Sequence, residues 1–137
     1  MVKAAIIGCG KIAQVRHIPE YLEHQAVNLV GFYDLNEKRA EELAEKYGGK
    51  AYGSVEELLA DPQIDAVSIC TANHTHAELT IKALKAGKHV LCEKPMAITL
   101  EECQRMVECA EENHRKLLIG QNQRLTRTHQ IARKLIA

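Results

Sequence analysis

Short apolar segments alternate with amphipathic helical segments along the chain, and this alternation limits the possible folds more than any other feature of the sequence. Six segments have the length and character of strands, at residues 2–7, 27–33, 50–52, 66–70, 89–92 and 116–120. Because helical segments separate them, neighbouring strands are expected to run parallel. The pattern predicts an α/β fold: a doubly wound parallel sheet of about six strands, with helices on both faces, built from two right-handed βαβαβ halves.

Capping signals mark the starts of several helices. Two predicted helices begin with a capping box, in which a hydroxyl and a glutamate bond each other's backbone amides: Ser54 with Glu57, and Thr99 with Glu102. Pro19 lies inside the first predicted helix, and because proline lacks an amide proton we expect a break or a kink near Ile18. The remaining helices are predicted over residues 36–47, 75–86 and 128–137.

The composition narrows the class of protein. The chain has 137 residues, 46% hydrophobic and 26% charged, which is typical of one soluble domain with a packed core. Its 18 basic and 18 acidic residues cancel, so we expect binding neither to nucleic acid nor to an anionic membrane surface. No apolar run is long enough for a membrane span, and Lys3 and Lys11 interrupt the start. We therefore predict no anchor, no secretory signal and a cytoplasmic location.

The cysteine and histidine spacings favour neither a disulfide nor a metal site. The cysteines are odd in number and include no C-x-x-C pair, which predicts reduced structural thiols and leaves metal or redox chemistry as the less favoured alternatives. His74 and His76 form an H-x-H pair, but two histidines without a clear third ligand do not make a zinc site. The cysteines are Cys9, Cys70, Cys92, Cys103 and Cys109.

A glycine-rich turn follows the first predicted strand and opens the first predicted helix. Residues 8–13 read Gly-Cys-Gly-Lys-Ile-Ala, a G-x-G-x-x-A form of the dinucleotide-binding fingerprint. In that fingerprint the first glycine allows a tight turn, the second lets a pyrophosphate approach the backbone, and the helix amino terminus offers free N–H groups. A plain glycine turn between strand and helix is the alternative interpretation. The candidate cofactor-binding residues here are Gly8, Cys9, Gly10, Lys11 and Ile12.

Asp34 favours the dinucleotide interpretation, because it ends the second predicted strand about 20 residues after the glycine motif. A carboxylate there accepts hydrogen bonds from the adenosine ribose and repels the 2′-phosphate of NADP. Leu35 cannot neutralise such a phosphate, so NAD is the expected cofactor and NADP is less favoured. Capping the next helix is the other possible role of Asp34. Arg39 could approach a phosphate, although a solvated or ion-paired side chain is the preferred interpretation.

Two more polar clusters follow the fourth and fifth predicted strands. Residues 71–76 read Thr-Ala-Asn-His-Thr-His, and residues 93–95 read Glu-Lys-Pro. Ligands of open parallel sheets bind beyond the carboxyl ends of the strands, so both clusters are expected in one pocket. Asn73 and Thr75 are also ordinary turn and helix-start residues. The candidate cofactor-binding residues of these clusters are Thr71, Asn73, His76, Glu93 and Lys94.

Together these motifs resemble the amino-terminal domain of the Gfo/Idh/MocA oxidoreductases, the family of glucose-fructose oxidoreductase and inositol dehydrogenase. The resemblance covers essentially the whole chain. It rests on motifs in the family's order: the glycine turn, Asp34, T-x-N-x-x-H from Thr71 to His76, Glu93-Lys94-Pro95, and Arg124 after the sixth strand. It implies a Rossmann domain that binds NAD(P).

The resemblance also implies a reaction, namely hydride transfer to or from a secondary alcohol carbon of a sugar, polyol or inositol-like substrate. Lys94 matches the family's lysine beside the nicotinamide, where an ammonium group binds the substrate oxygen and helps to move its proton. It is therefore the candidate catalytic residue. Glu93 matches a position that orients this lysine, and Asn73 and His76 match positions that line the cofactor.

The resemblance divides the chain into residues 1–123, a dinucleotide-binding domain, and residues 124–137, a terminal helix leading toward a substrate domain. Family members carry that second domain, which covers the nicotinamide, and this sequence is not expected to encode it. We therefore expect NAD binding with little turnover. A stand-alone NAD-binding sensor or regulatory module is the alternative function. The apolar face of the terminal helix, with Ile131 and Leu135, is expected to favour weak homo-oligomerisation.

Overall fold

The computed structural model describes residues 1–136, and within them six strands form one sheet. The strands are β1 (Val2–Ile7), β2 (Val27–Tyr33), β3 (Lys50–Ala51), β4 (Ala66–Ile69), β5 (His89–Cys92) and β6 (Leu117–Ile119). Their order is β3-β2-β1-β4-β5-β6, and every neighbouring pair is parallel. This order confirms the predicted doubly wound α/β sheet, in which the chain moves outward from β1 on one side and then on the other.

Helices connect the strands at the predicted positions, with ends that differ by a residue or two. In the described part of the chain they are α1 (Ile18–Glu23), α2 (Glu37–Tyr47), α3 (Val55–Ala60), α4 (His76–Lys85), α5 (Leu100–Glu112) and α6 (Arg127–Ile136). Short 3-10 turns, Asn73–Thr75 and Asn122–Leu125, come shortly before α4 and α6. Ala137, the last residue of the predicted terminal helix, lies outside the described residues.

The first helix differs from the prediction around Pro19. Ala13–His17 forms a π-helical turn that leads directly into α1, and the Ile18 N–H donates to the Ala13 carbonyl. The chain therefore stays helical past Pro19, which lies in the first turn of α1. The chain therefore does not break at Ile18, as one form of the prediction had it; instead the helix changes from π to α type at that residue.

One of the two predicted capping boxes is complete. The Thr99 hydroxyl accepts from the Glu102 N–H, and the Glu102 carboxylate accepts from the Thr99 N–H. Ser54 caps α3 by accepting from the Glu57 N–H, but the Glu57 carboxylate accepts from the Gly53 N–H instead of closing the box. The box is wrong in this half because Glu57 also pairs with the Lys50 ammonium at 2.7 Å, which draws the carboxylate toward β3.

β1 is buried on both faces and supplies both hydrophobic cores. Ile6 packs with Phe32 and Ile18 on the face that α1 and α2 cover. Ala5 and Ile7 belong to the core on the opposite face, which α3, α4 and α5 cover. Successive strand residues alternate between faces, and full burial of one such isoleucine contributes about 1.5–3 kcal/mol. The turn that follows β1 is thereby held at the centre of the sheet.

α6 lies at the surface and has no buried residue. Leu135 and Ile136 are 80% and 86% exposed, so the apolar stripe of the terminal helix is open to solvent. All five cysteines are unpaired, and four of them are buried, which confirms the prediction of free thiols. None of the helices in residues 1–136 combines the length and apolar character needed to cross a bilayer.

Candidate functional site

The loops that follow β1, β2, β4 and β5 meet at one edge of the sheet. The Gly8 N–H donates to the Tyr33 carbonyl at 2.8 Å, which joins the ends of β1 and β2. On the other side, the Cys70 N–H donates to the Ile7 carbonyl at 2.8 Å. β1 is therefore flanked by the two halves of the sheet, and the glycine turn lies at the point where the strand order reverses. This is where open α/β sheets bind their ligands.

Gly8 and Gly10 differ in what surrounds them. Gly8 has a φ of +92°, and a Cβ there would lie 2.8 Å from the Cys70 carbonyl group and from the Thr71 side chain. The turn can therefore pass beside β4 only with glycine at this position. A Cβ on Gly10 would meet no atom within 4 Å, so the backbone at Gly10 faces open space. A phosphate group can approach it from that side.

The helix that begins after Gly10 presents its amino terminus to this open space. Lys11 and Ile12 are both exposed, and the first N–H groups of a helix have no intrahelical partners. The Gln14 side chain donates to the Cys9 carbonyl at 2.9 Å, which fixes the turn. Free N–H groups and the positive end of the helix dipole together form an anion-binding site.

Cys9 contributes its backbone to the site. Its side chain is fully buried, and its N–H donates to the Asp34 carboxylate at 2.8 Å. Burial raises the pKa of the Cys9 thiol to about 12, and the negative charge of Asp34 acts in the same direction. The thiol therefore stays protonated near neutral pH and serves as a packing group.

Asp34 is held by several donors at the end of β2. Its second oxygen accepts from the Asn36 N–H at 2.8 Å, and the Arg39 guanidinium approaches this oxygen to 3.2 Å. The interpretation of Arg39 as an ion-paired residue is therefore confirmed. Asp34 does not cap α2, because the Asn36 side chain accepts from the Arg39 N–H. A half-exposed guanidinium thus lies beside the carboxylate that is proposed to bind ribose.

The Thr71–His76 loop is tied to the loop that contains Lys94. The His76 ring is 1% exposed, and its two nitrogens face the carbonyl oxygens of Pro95 at 2.7 Å and of Thr71 at 3.2 Å. The Thr71 hydroxyl bonds to the Thr75 hydroxyl at 2.7 Å, and Asn73 is exposed. The ring of His76 therefore joins two loops of the candidate site, while Asn73 is open to solvent.

Glu93 and Lys94 lie at the end of β5 with different exposure. The Glu93 side chain is 14% exposed, and one of its oxygens accepts from the Lys94 N–H at 3.1 Å. The Lys94 side chain is exposed, so its ammonium group is accessible to a ligand at the mouth of the site. The two residues are in contact through the backbone of Lys94 rather than through its ammonium group.

Sequence reasoning missed three residues that contact this region. His17 Nε2 lies 2.8 Å from a Glu93 oxygen, and His17 Nδ1 lies 3.3 Å from the Ser68 hydroxyl, which also contacts the Tyr21 hydroxyl. A signal was present: Ala13, His17 and Tyr21 follow one another at intervals of four, the spacing of one helix face. Polar groups on a face that packs against the sheet require buried partners.

A cavity of about 1240 Å³ opens on the β5–β6 side of the site. The Glu93 and Tyr21 side chains line it from one direction and Leu118 lines it from the sheet, while Arg124 and Lys134 come from the segment after β6. It is larger than the usual ligand cavity of about 300–1,000 Å³, so it has room for a small-molecule ligand. Arg124, a residue of the family resemblance, lines this cavity together with Glu93.

Comparison with known proteins agrees with this geometry. The model of an oxidoreductase family with an NAD-binding Rossmann fold, GFO_IDH_MocA, matches residues 2–121. The chain belongs to the Gfo/Idh/MocA family. Its NAD(P)-binding Rossmann domain is thereby established, and the resemblance found in the sequence is confirmed.

Two curated members of the Gfo/Idh/MocA family are similar over nearly the whole chain. Myo-inositol 2-dehydrogenase of Thermotoga maritima is 37% identical over 127 residues, covering 92% of this chain and 38% of that protein. Glucose-6-phosphate 3-dehydrogenase of Bacillus subtilis is 38% identical over 136 residues, covering 99% of this chain and 38% of that protein. The chain therefore spans well under half the length of these relatives.

A solved structure shows the same fold. It is a variant of KijD10, a 3-ketoreductase from Actinomadura kijaniata in complex with TDP-benzene and NADP. The TM-score is 0.93 at 26% identity, over 98% of this chain and 43% of that one. A domain of this architecture thus occurs in a 3-ketoreductase complexed with NADP.

Proposed function

We propose that this chain is the cofactor-binding domain of an NAD-dependent oxidoreductase that transfers hydride to or from a secondary alcohol carbon of a sugar, polyol or inositol-like substrate. The observation that carries the proposal is the open backbone at Gly10, placed beside a helix amino terminus and hydrogen-bonded through Cys9 to Asp34. This unit supplies what a dinucleotide needs: N–H donors for its diphosphate and an acceptor for its ribose.

The residues at the site fit a dinucleotide. The space beside Gly10 leaves room for a phosphate, and Gly8, Lys11 and Ile12 complete the turn around it. When bound, the nicotinamide group supplies or accepts the hydride. The chain's own residues bind and orient this group, with Asp34 at the adenosine end and the Thr71 and Glu93 loops toward the nicotinamide end.

Lys94 is proposed as the general acid–base residue. Its side chain is exposed where the loops after β4 and β5 meet, so its ammonium group can bind a substrate oxygen and move the proton of that oxygen. Such assistance contributes about a hundred- to ten-thousand-fold to a rate.

NAD is proposed as the preferred cofactor. Its advantage over NADP in binding affinity is expected to be smaller than Asp34 alone would give. The Asp34 carboxylate accepts from ribose hydroxyls and repels a 2′-phosphate. Arg39, at 3.2 Å, offsets part of that negative charge and is itself 43% exposed. An arginine at such a position accommodates a 2′-phosphate in NADP-binding Rossmann domains. The pair therefore supports NAD binding with measurable NADP binding.

The names of two relatives support the proposed substrate class. One is named for myo-inositol and another for glucose 6-phosphate, so a ring polyol or sugar is the class we propose. Because Lys94 is exposed to water here, the chain alone is expected to bind its cofactor with little turnover. A low rate of NADH formation with myo-inositol or glucose 6-phosphate is the expected result. Turnover at about 1 s⁻¹ or faster, an ordinary enzyme rate, would contradict it.

Titration of NADH against the purified chain tests the proposal. Cofactor fluorescence is expected to change saturably, with one site for each chain, and calorimetry should give the same affinity. The matched control is the Gly10→Ala variant, whose new methyl group occupies the space beside the turn without touching protein atoms. Absence of saturable binding up to about 1 mM NADH, a free energy near −4 kcal/mol, would reject the cofactor role.

A further inference from the structure

Four buried or partly buried polar side chains connect the helix after the glycine turn to the end of β5. His17 is 7% exposed and Ser68 is fully buried, and they meet Tyr21 from α1 and Glu93 from β5. His17 belongs to the π-helical turn Ala13–His17. π-Helical turns are uncommon and occur frequently at functional sites. We call these four residues the His17 network.

The hydrogen bonds of the His17 network have a direction. The Glu93 carboxylate accepts only, so the hydrogen between it and His17 lies on Nε2. Burial raises the pKa of the Tyr21 phenol, so Tyr21 keeps its proton and can donate to Ser68. Ser68 can then donate to His17 Nδ1, at 3.3 Å. The hydrogen bonds therefore form a continuous chain from Tyr21 through Ser68 and His17 to Glu93, and each polar group in it has a partner.

The two oxygens of Glu93 serve different partners. Oε1 accepts from His17 at 2.8 Å, and Oε2 accepts from the Lys94 N–H at 3.1 Å. Gly120, at the end of β6, packs against the same carboxylate, because a Cβ there would lie 3.3 Å from Oε1. His17 therefore fixes one oxygen of the Glu93 carboxylate, and the other oxygen holds the backbone N–H of Lys94.

We propose that His17 is a positioning residue for Lys94: it holds the Glu93 carboxylate in the orientation that accepts from the Lys94 N–H. The inference rests on the proposed role of Lys94 and extends it to a residue that does not touch substrate or cofactor. It couples the helix of the glycine turn, which receives the diphosphate, to the loop that carries the acid–base group. Both ends of the dinucleotide site then share one rigid connection.

Two variants of similar size separate the contacts of His17. In His17→Gln the side-chain amide nitrogen lies near the former Nε2 and can still donate to Glu93. In His17→Asn the side-chain amide oxygen lies near the former Nδ1 and can accept from Ser68, so that contact remains and contact with Glu93 is lost. The readout is hydrogen exchange of the Lys94 amide by NMR, with the amides of Cys9 and Cys70 as references in the same spectrum.

Loss of the Glu93 contact is expected to accelerate exchange at Lys94 about fivefold or more in His17→Asn, the equivalent of one ordinary hydrogen bond. Exchange at Cys9 and Cys70 should stay within about twofold of wild type, and His17→Gln should restore slow exchange at Lys94. Equal acceleration at all three amides, or no rescue by glutamine, would show a purely structural role and overturn the proposal.

Nitrogen NMR of the unmodified chain gives an independent test that needs no variant. The His17 ring is expected to carry a proton on Nε2, and a ring protonated on Nδ1 alone would also overturn the proposal. Neither measurement requires cofactor. A failure of NADH binding would therefore reject the proposed function while leaving the hydrogen-bond network intact, and the two failures can be told apart.

Discussion

The backbone amide of Cys9 donates a 2.8 Å hydrogen bond to the carboxylate of Asp34, 25 residues later in the sequence. This bond joins the turn proposed to receive a diphosphate to the group proposed to receive the adjacent ribose. The spacing between the two contacts is therefore set before any ligand binds. A pre-organised site of this kind loses less conformational entropy on binding than two independent loops.

Replacing Asp34 with alanine is expected to weaken NADH binding about tenfold or more, because the ribose loses a charged acceptor. NADPH binding should weaken less, since the same change removes repulsion of the 2′-phosphate. Parallel titrations measure both affinities. Asp65→Ala, a change of the same kind at the opposite end of the sheet, should leave both unchanged, and equal losses of the two affinities in Asp34→Ala would argue against the ribose contact.

Replacing Arg39 with alanine tests the ion pair with Asp34. Without the guanidinium, the full negative charge of the carboxylate faces the 2′ position, so NADPH affinity should fall while NADH affinity changes by about threefold or less. Lys38→Ala is the matched control, because the Lys38 side chain is 82% exposed on the same helix. Unchanged NADPH affinity in Arg39→Ala would show that the guanidinium has no part in cofactor choice.

Replacing each glycine of the turn with alanine is expected to affect a different property: Gly8→Ala lowers stability, and Gly10→Ala weakens cofactor binding. Gly8→Ala requires a positive φ and a contact at 2.8 Å, so it should lower the free energy of unfolding by about 2 kcal/mol or more. Gly10→Ala meets no protein atom, so stability should change little while NADH affinity falls about tenfold or more. Thermal unfolding measures the change in stability, and titration measures the change in NADH affinity. A large loss of stability in Gly10→Ala, with unchanged stability in Gly8→Ala, would contradict the description of the turn.

Alkaline pH is expected to destabilise the fold partly through Cys9. Its folded-state pKa is about 12 against a reference value of 9.0, chiefly because of burial and then because of Asp34. The folded state therefore holds this proton more tightly, and the associated stability is present below pH 9 and is lost as the pH rises toward 12. Urea unfolding at increasing pH should show this decline. In Cys9→Ala the slope should be shallower; an identical slope would exclude Cys9 as a contributor.

The strands and the turn could be predicted because their signals are local. The run from Val2 to Ile7, the following Gly8 and the acid that ends β2 are each recognisable within a few residues, and the structure places them at adjacent strand ends. The capping box of Thr99 was also local and is confirmed. Such features depend on backbone preference and hydrophobic period, which a short segment determines by itself.

The missed features depend on partners that are distant in sequence. His17 meets Glu93 across 76 residues, and the choice of Lys50 and Gly53 as partners for Glu57 depends on where β3 ends. No local sequence pattern predicts which of several available partners a long polar side chain will contact.

The π-helical turn makes the contact between His17 and Glu93 sensitive to the number of residues in that turn. Each residue of an α-helix advances by about 100° around the axis, so inserting one residue between Ala13 and His17 would turn the imidazole away from β5 while leaving the glycine fingerprint intact. Descendants of this sequence can therefore gain a single codon here and keep every recognised motif, yet disconnect the two halves of the crevice.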